Sequence, residues 1–336
     1  MSQIEFQLIN DYFRHDSLAF ARDGIELGIG DDAAVISVPE KKSLCMSMDV
    51  LVEGIHFPAN ADPFLIGQRC LAVNISDLAA MAAEPLCFTL GIALPRADRD
   101  WLEKFRDGLA LVARRYNCPL VGGDTVAGSG TIAIQVQGLT RRGRSVTRAG
   151  ARPGDVIYVT GTLGNGALAL AAQEIEVQFD SAFAPRIELL SETDLAYLNT
   201  RFYSPEPRVE FALNACHLLH SAIDVSDGLA GDLAHILEAS ECGAIIEADL
   251  LPYAPALRRA ASPAECLAAA LYGGDDYELC VTVAEESAPE LETIAAGLSL
   301  QLTRIGEINS SHKLLLQQDT GKLEPVRHRS YSHFQA

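Results

Sequence analysis

The feature that most constrains this chain is an acidic glycine turn that recurs, in varied form, where predicted strands end. Its first instance is Gly28-Ile-Gly-Asp-Asp-Ala33, which lies between two short apolar stretches. Glycine permits positive φ and lets another group approach the backbone closely. Asp and Gly are also ordinary turn residues, so a single turn of this kind is either a solvated loop tip or the start of a hard-cation site. Recurrence favours the cation site.

The recurrences occur in both halves of the chain. The predicted strand Leu44–Leu51 carries Asp49, and a helix predicted over about 63–83 carries Asn74 and Asp77 on one face. Asp77 is either a site residue or part of a solvated polar stripe. The same order of a strand, a glycine turn and an acid is predicted for Pro119-Leu-Val-Gly-Gly-Asp124. The full set of candidate acids is Asp31, Asp32, Asp49, Asp77, Asp124, Asp224, Asp227, Asp275 and Asp276.

Charge and length exclude several classes of protein. The 336 residues include 26 Lys and Arg against 45 Asp and Glu, a formal charge of −19, which argues against nucleic acid or an anionic membrane as partner. The N-terminus lacks the basic and apolar regions of a signal peptide, and no apolar run is long enough to span a bilayer. Eight scattered cysteines without a Cys-x-x-Cys pair indicate free thiols in a reducing cytoplasm.

The clustered acids predict magnesium chemistry. Two carboxylates ~4 Å apart repel by about 4 kcal/mol at an effective dielectric near 20, so a converging set must be protonated or neutralised. Oxygen donors without an accompanying Cys or His set favour Mg²⁺ over zinc, and Mg²⁺ commonly uses carboxylates together with substrate phosphates. An acidic chain can thus bind a polyphosphate through bridging cations, with Arg148 adding a direct contact. Phosphoryl transfer then needs positioning rather than a protein nucleophile.

Three further stretches carry weaker indications. Gly161-Thr-Leu-Gly-Asn-Gly166 is a glycine turn between a strand and a helix but lacks the Lys of a Walker A loop, so it is weak evidence for a phosphate cradle. His217-Leu-Leu-His220, at the end of a predicted helix, has a spacing that could hold a metal, although a structural role is favoured. Residues 174–207 are expected to be irregular.

Strands alternate with helices in two halves, so the fold class is expected to be α/β (α+β). Gly150-Ala-Arg-Pro-Gly-Asp155 is a linker-type turn, which places the domain boundary between 149 and 150.

Taken together and in order, the motifs resemble those of the thiamine-monophosphate kinase family, in the superfamily of aminoimidazole ribonucleotide synthetase and selenophosphate synthetase. The motifs are Gly28-Ile-Gly-Asp-Asp-Ala33, Ser47-Met-Asp49 with His56-Phe57, Ala72-Val-Asn-Ile-Ser-Asp-Leu-Ala-Ala-Met81, Gly122-Gly-Asp-Thr125, Thr147-Arg-Ala-Gly150, Asp224-Val-Ser-Asp-Gly228 and Gly273-Gly-Asp-Asp-Tyr-Glu-Leu279. Each is weak alone, but the ordered combination covers nearly the whole length.

The resemblance implies a two-domain aminoimidazole ribonucleotide synthetase-like fold. Its N-terminal domain, 1–149, has a mixed sheet with helices, binds metal and ATP and forms a homodimer. Its C-terminal α/β domain, 150–336, completes the active site. The implied reaction is ATP-dependent phosphorylation of thiamine monophosphate to thiamine diphosphate, the final step of that biosynthesis, by direct in-line transfer with several Mg²⁺ ions.

The resemblance also implies roles for individual residues. Metal ligands would be Asp32, Ser47, Met48 through its carbonyl, Asp49, Asp77, Asp124, Asp224 and Asp227. ATP would contact Gly123, Asp124, Arg148 and Ser226, and thiamine monophosphate would contact His56, Asp275 and Phe334. Two positions depart from the family pattern: Asp275 stands where Glu is usual and is one methylene shorter, and Met48 stands where Ser or Thr is common.

Two other functions remain open from the sequence. One is another ATP-using enzyme of the superfamily with a different substrate; the other is a non-catalytic Mg²⁺- or nucleotide-binding module. A selenophosphate synthetase is disfavoured because no Cys-Lys-like pair lies in a glycine-rich N-terminal segment. A hydrogenase-maturation protein is disfavoured because the C-terminal Ser330–Ala336 contains no cysteine.

Overall fold

The computed structural model describes residues 8–175 and 183–326. Phe334 lies outside these described residues. The chain divides into two compact units between Ser145 and Val146, except that Ala79–Ala82 group with the second unit. The sequence placed this boundary at 149/150, within the linker-type turn.

The first unit is built on a four-stranded sheet of order β3-β6-β4-β5 beside a small antiparallel pair, β1-β2. Its elements are β1 (Ile25–Leu27), β2 (Val35–Ile36), β3 (Lys42–Val52), α1 (Pro63–Ala80), β4 (Glu84–Leu94), α2 (Arg99–Arg115), β5 (Leu120–Ala127) and β6 (Thr131–Arg141), preceded by one π-helical turn, Ile9–Phe13. Strands β4 and β5 pair in parallel, which requires a crossover, and α2 supplies it.

Helix α2 forms where the apolar spacing predicts it. Asp98 caps its first turn by accepting the Trp101 N–H at 3.2 Å. Leu102, Phe105 and Leu109 recur at helical spacing and are buried, so this face packs into the core. The helix is followed by strand β5, on which Gly123 and Asp124 lie.

Strand β3 pairs with β6 along its full length, from Lys42 opposite Arg141 to Val52 opposite Thr131. Because side chains alternate across a strand, Ser47 and Asp49 share one face while Met46 and Met48 share the other. The Met46 and Met48 side chains are 54% and 55% exposed. The strand therefore has one polar face, which carries Ser47 and Asp49, and one exposed apolar face, which carries Met46 and Met48. We call the second of these the outer face.

The second unit is a seven-stranded mixed sheet of order β13-β12-β9-β11-β7-β10-β8. Its elements are β7 (Asp155–Thr160), α3 (Asn165–Ala172), α4 (Glu192–Tyr203), α5 (Val209–Ala215), β8 (Leu219–Val225), α6 (Leu229–Ala239), β9 (Gly243–Glu247), α7 (Pro255–Ala260), α8 (Pro263–Tyr272), β10 (Glu278–Ala284), α9 (Ala288–Gly297), β11 (Leu302–Asn309), β12 (Leu314–Gln317) and β13 (Leu323–Pro325), with single 3₁₀ turns at Ile187–Leu189, Ala248–Leu250 and Glu285–Ser287. Every residue of β7 is buried, as expected for a central strand covered on both faces.

Two expectations for this unit are wrong. Helix α4 lies in the stretch expected to be irregular, and it begins with a capping box in which Ser191 and Asp194 bond each other's backbone N–H groups. His217 and His220 do not share a helix, because α5 ends at Ala215 and His220 belongs to β8. Their spacing therefore does not place them on one face of a helix. They bond different acids: His217 contacts Glu290 at 3.0 Å, and His220 contacts Asp155 at 2.9 Å.

None of the helices in the described residues has the length and apolar character needed to cross a membrane. All eight cysteines are unpaired.

Candidate functional site

In the first unit, two hydrogen bonds join β3 to α1, one from Ser47 to Asp77 and one from Asp49 to Asn74. The Ser47 hydroxyl donates a hydrogen bond to Asp77 Oδ2. Asn74, one turn before Asp77 and fully buried, accepts the Asp49 N–H at 3.0 Å and donates to the Cys70 carbonyl at 2.8 Å. The predicted polar face of α1 thus lies against the polar face of β3. Met48, on the opposite face, could contribute only its backbone here.

His56 is fixed by the turn that follows β3. Its Nδ1 accepts the Val52 N–H at 3.0 Å, so a neutral ring carries its proton on Nε2. Its carbonyl accepts a hydrogen bond of 3.1 Å from Nε of the buried Arg69. The ring is therefore held in one place and one tautomer.

A second group of predicted residues surrounds a cavity of about 680 Å³ in the same unit, lined in part by Arg14, Gly30, Asp31, Asp32, Gly123 and Asp124. Gly123 is required by packing, since a Cβ there would lie 2.0 Å from the Leu90 carbonyl oxygen. Asp32 and Asp124 are both exposed. The structure thus brings Asp32, Gly123 and Asp124 together, whereas Ser47, Asp49 and Asp77 are not among the described residues that line this cavity.

Arg14 is a residue of this cavity that the sequence reasoning missed. Its guanidinium carbon lies 3.2 Å from where a Cβ on Gly30 would be, so it packs closely over the glycine turn. It is the only cationic side chain among the described residues lining the cavity, beside three carboxylates. No pattern in the sequence singles it out, because it precedes Gly30 by 16 positions and reaches it only in the fold.

In the second unit, the end of β8 carries Asp224, Ser226 and Asp227. Asp224 is buried and lies opposite Leu279 in the β8–β10 pair. The N–H groups of Ser226 and Asp227 both donate to Asp232 Oδ2 at 3.1 Å. Burial, and next the charge of Asp227, raise the pKa of Asp232 to about 7, while the positive charge of Arg148 opposes this rise. The charge of Arg148 thus acts on the carboxyl group that holds the Ser226–Asp227 turn.

The segment that carries Arg148 is tied down by Ser240. The Ser240 hydroxyl donates to the Arg148 carbonyl and accepts the N–H groups of Gly150 and Ala151, each at 3.1 Å. The Thr147 carbonyl accepts the Ala222 N–H of β8 at 3.1 Å. Arg148 is exposed on a backbone that is fixed on both sides.

Asp275 lies on a turn that is bonded to the same strand end. Its N–H donates to the Ser226 carbonyl at 2.7 Å, and the Tyr277 N–H donates to the Val225 carbonyl at 2.8 Å. The structure therefore brings Asp275, Ser226, Asp227 and Arg148 into one region of the second unit.

The glycine turn 161–166 is already bound to a carboxylate of the protein. Asp276 accepts the Gly164 N–H at 2.7 Å and the Gly166 N–H at 2.9 Å. These are the groups that a phosphate cradle at the start of α3 would need. The weak prediction of a phosphate site in this turn is not supported.

Asp232 was not among the candidate acids predicted from the sequence, and Asp276 was among them without a role of its own. Asp232 could have been found from its place in the first turn of α6, where acids often bond nearby N–H groups. Within the described residues, no group of three or more His, Cys, Asp or Glu side chains could hold a metal ion by itself. Mg²⁺ is commonly bound by one or two carboxylates together with substrate phosphates, so it does not require such a group.

Models of known families match each unit. Residues 30–140 match the AIR synthase related protein, N-terminal domain, and residues 152–317 match the AIR synthase related protein, C-terminal domain. Thiamine-monophosphate kinase of Escherichia coli strain K12 is 41% identical over 330 residues, covering 98% of each chain. The chain belongs to the thiamine-monophosphate kinase family. The family's member in Bacillus subtilis strain 168 is 33% identical over 320 residues, 92% of this chain and 94% of that one.

Solved structures agree with this assignment. A thiamine-monophosphate kinase from Stenotrophomonas maltophilia K279a has a TM-score of 0.82 at 39% identity, covering 94% of this chain and 97% of that chain. A structure described as AaThiL complexed with AMPPCP and TMP has a TM-score of 0.72 at 27% identity, covering 88% and 89%. A hydrogenase maturation protein HypE, at 21% identity and a TM-score of 0.72, shares the fold alone. The predictions of family and fold class are confirmed.

Burial of Asp276 has a consequence for stability. Burial raises the pKa of its carboxyl from 3.8 to about 7. Because the folded state then holds the proton more tightly than the unfolded state, this group favours folding most below about pH 4 and loses that contribution as the pH rises to about 7. We expect the free energy of unfolding, measured with urea between about pH 5 and pH 8, to fall relative to that of Asp276→Asn as the pH rises. A difference between the two proteins that does not vary with pH would contradict this.

Proposed function

We propose that the protein transfers the γ-phosphoryl group of ATP to thiamine monophosphate and so forms thiamine diphosphate. The observation that carries this proposal is the 41% identity to a thiamine-monophosphate kinase over 98% of both chains. The structure described with AMPPCP and TMP supports a nucleotide and a phosphorylated acceptor as ligands of this family. The acceptor already carries a phosphate, whose oxygen can attack directly. The chain then needs to position two anions rather than to supply a covalent nucleophile.

Bound Mg²⁺ is part of this proposal, because the donor set fits it. The carboxylates of Asp32 and Asp124 at the cavity, and the Asp49, Asp77 and Ser47 group, are hard oxygen donors. Asp224, Asp227 and the Met48 carbonyl are proposed as further ligands. When bound, Mg²⁺ would neutralise phosphate and carboxylate charge. The Ser47 hydroxyl holds the Asp77 carboxylate, and Asn74 holds the backbone N–H of Asp49, so little reorganisation is required when a cation arrives.

The remaining predicted residues are proposed as ligand contacts. Gly123 and Asp124, at the first unit's cavity, and Ser226 and Arg148, near each other in the second unit, would contact ATP. His56, Asp275 and Phe334 would contact thiamine monophosphate. A cytoplasmic location is also proposed, since eight unpaired cysteines fit a reducing compartment.

The reaction is tested by mass-spectrometric detection of products from purified protein with ATP, Mg²⁺ and either thiamine monophosphate or free thiamine. We expect thiamine diphosphate from the monophosphate alone, and none when EDTA removes the divalent cation. Restoration by excess Mg²⁺ is the control for EDTA. Nucleotide binding without product would instead favour a different acceptor or a non-catalytic module.

Asp49 should matter more for turnover than for folding. Asp49→Asn removes a proposed cation ligand while keeping the side chain's volume, so we expect kcat to fall by on the order of 100-fold or more with little change in Tm. Asp100→Asn, an exposed acid in the first turn of α2, is the matched control and should leave both unchanged. A collapse of Tm with normal activity per folded molecule would show that Asp49 has no metal role.

A homodimer is proposed as the assembled form, with β3 at the contact between copies. Its outer face is a row of apolar side chains on an edge strand, Leu44, Met46, Met48 and Val50, all exposed in the single chain. A contiguous exposed apolar row of this kind is typical of an interaction surface.

Charging this row should separate the copies. We expect sedimentation at micromolar protein to give twice the protomer mass for the wild type and the protomer mass for Met46→Glu, because the new carboxylate would be buried without a partner. Leu111→Glu on α2 is the control, since Leu111 has the same 54% exposure. Dimers of Met46→Glu as stable as wild type would exclude this face.

A further inference from the structure

Asp276 joins two loops of the second unit from a buried position. Its side chain is 1% exposed, and its two carboxylate oxygens accept the Gly164 N–H and the Gly166 N–H. Its backbone carbonyl accepts a hydrogen bond of 2.9 Å from Nη2 of Arg201. Asp276 thus connects the glycine turn 161–166, the turn 273–277 and helix α4.

The turn 273–277 has an unusual backbone. Gly274, Asp275 and Tyr277 have φ values of 64°, 59° and 50°. Such values are uncommon for residues with a side chain, and they persist only where the surroundings impose them. The bonds from Asp275 to Ser226 and from Tyr277 to Val225 hold the turn on one side. The Asp276 carboxylate holds it on the other.

Close contacts make the two loops interdependent. A Cβ on Gly166 would lie 2.2 Å from the Gly274 carbonyl oxygen, and one on Gly274 would lie 2.5 Å from the Ser226 carbonyl oxygen. The glycine turn, the 273–277 turn and the end of β8 therefore touch through their backbones. Movement of one of them must displace the next.

A buried ion cluster fixes the far end of the turn. Glu278, 1% exposed, accepts two hydrogen bonds of 2.7 Å from Arg208, one of 2.9 Å from Arg201 and one of 2.7 Å from Thr160. Arg201 bonds both Glu278 and the Asp276 carbonyl, so the cluster and the turn are held by one side chain. The turn is therefore constrained at both ends and at its centre.

We propose that Asp276 is a positioning residue, which locks the glycine turn 161–166 to the turn 273–277 and thereby sets how Asp275 is presented to thiamine monophosphate. This rests on the proposed function, in which Asp275 contacts thiamine monophosphate. The two adjacent acids of Gly273-Gly-Asp-Asp276 then have different roles. Asp275 contacts the ligand, and Asp276 holds the backbone that carries Asp275.

The test is Asp276→Asn, which keeps the shape but replaces one acceptor oxygen by an NH₂ that faces a backbone N–H. We expect the KM for thiamine monophosphate to rise about tenfold, with the KM for ATP changed less than about twofold. Glu292→Gln is the matched control, because it makes the same carboxylate-to-amide change at another hydrogen bond of this unit, from the Tyr158 hydroxyl at 2.6 Å, without touching either loop. It should leave both KM values unchanged.

If Asp276→Asn does not fold, Arg201→Lys serves as the second variant, since it keeps a charge for Glu278 and gives up the bond to the Asp276 carbonyl. We expect a smaller rise in the same KM. Unchanged KM values in the variant that folds, or equal changes in both KM values and kcat, would overturn the positioning role.

Hydrogen–deuterium exchange tests the coupling of the loops independently of activity. In the folded variant, amides of 161–166 and of 273–278 should exchange faster together, while Glu292→Gln leaves both unchanged. Faster exchange in only one loop would overturn the proposal, whatever the activity. A wild type that forms no thiamine diphosphate would overturn the proposed function instead, so the two failures are distinguishable.

Discussion

Repulsion between carboxylates is the constraint on which the organisation of this chain depends. A protein with a formal charge of −19 that gathers acids at strand ends must neutralise each of them or keep them apart. The structure relieves this repulsion in two ways. Buried acids receive donors from the protein itself, as Glu278 does from Arg201 and Arg208 and as Asp276 does from two glycine N–H groups. Asp32 and Asp124 instead remain exposed at a cavity.

This difference distinguishes Asp276 and Glu278, which hold the structure together, from Asp32 and Asp124, which suit a ligand. A buried carboxylate with built-in donors has little capacity left for a cation, and its loss would leave those donors unpaired. An exposed carboxylate at a cavity keeps its water and can exchange it for Mg²⁺ at low cost. The sequence alone could not make this distinction, because Asp275 and Asp276 are the same residue type at neighbouring positions.

Much of the site follows from periodicity. Alternation along β3 places Ser47 and Asp49 on one face, and helical spacing places Asn74 and Asp77 on one face of α1, as the structure shows. What periodicity cannot supply is contact between residues distant in sequence. Arg14 lies over Gly30, and Asp276 reaches Gly164 across more than a hundred positions, because tertiary packing brings them together. The apparent helical pair His217 and His220 fails for the opposite reason, since pairing of β8 with β10 overrides the local spacing.

The glycine turn 161–166 shows that one local sequence pattern is compatible with two different roles, binding of a ligand phosphate and binding of a side chain of the protein. A strand, a glycine-rich turn and a helix create a set of N–H groups that attract an anion. Whether that anion is a ligand phosphate or a side chain of the protein depends on what the rest of the fold brings to the turn. Here β10 follows a turn that places the Asp276 carboxylate against these N–H groups, with burial too complete for solvent exchange. A side chain of the protein that occupies these N–H groups gives rigidity rather than ligand binding, so this turn does not offer them to a phosphate.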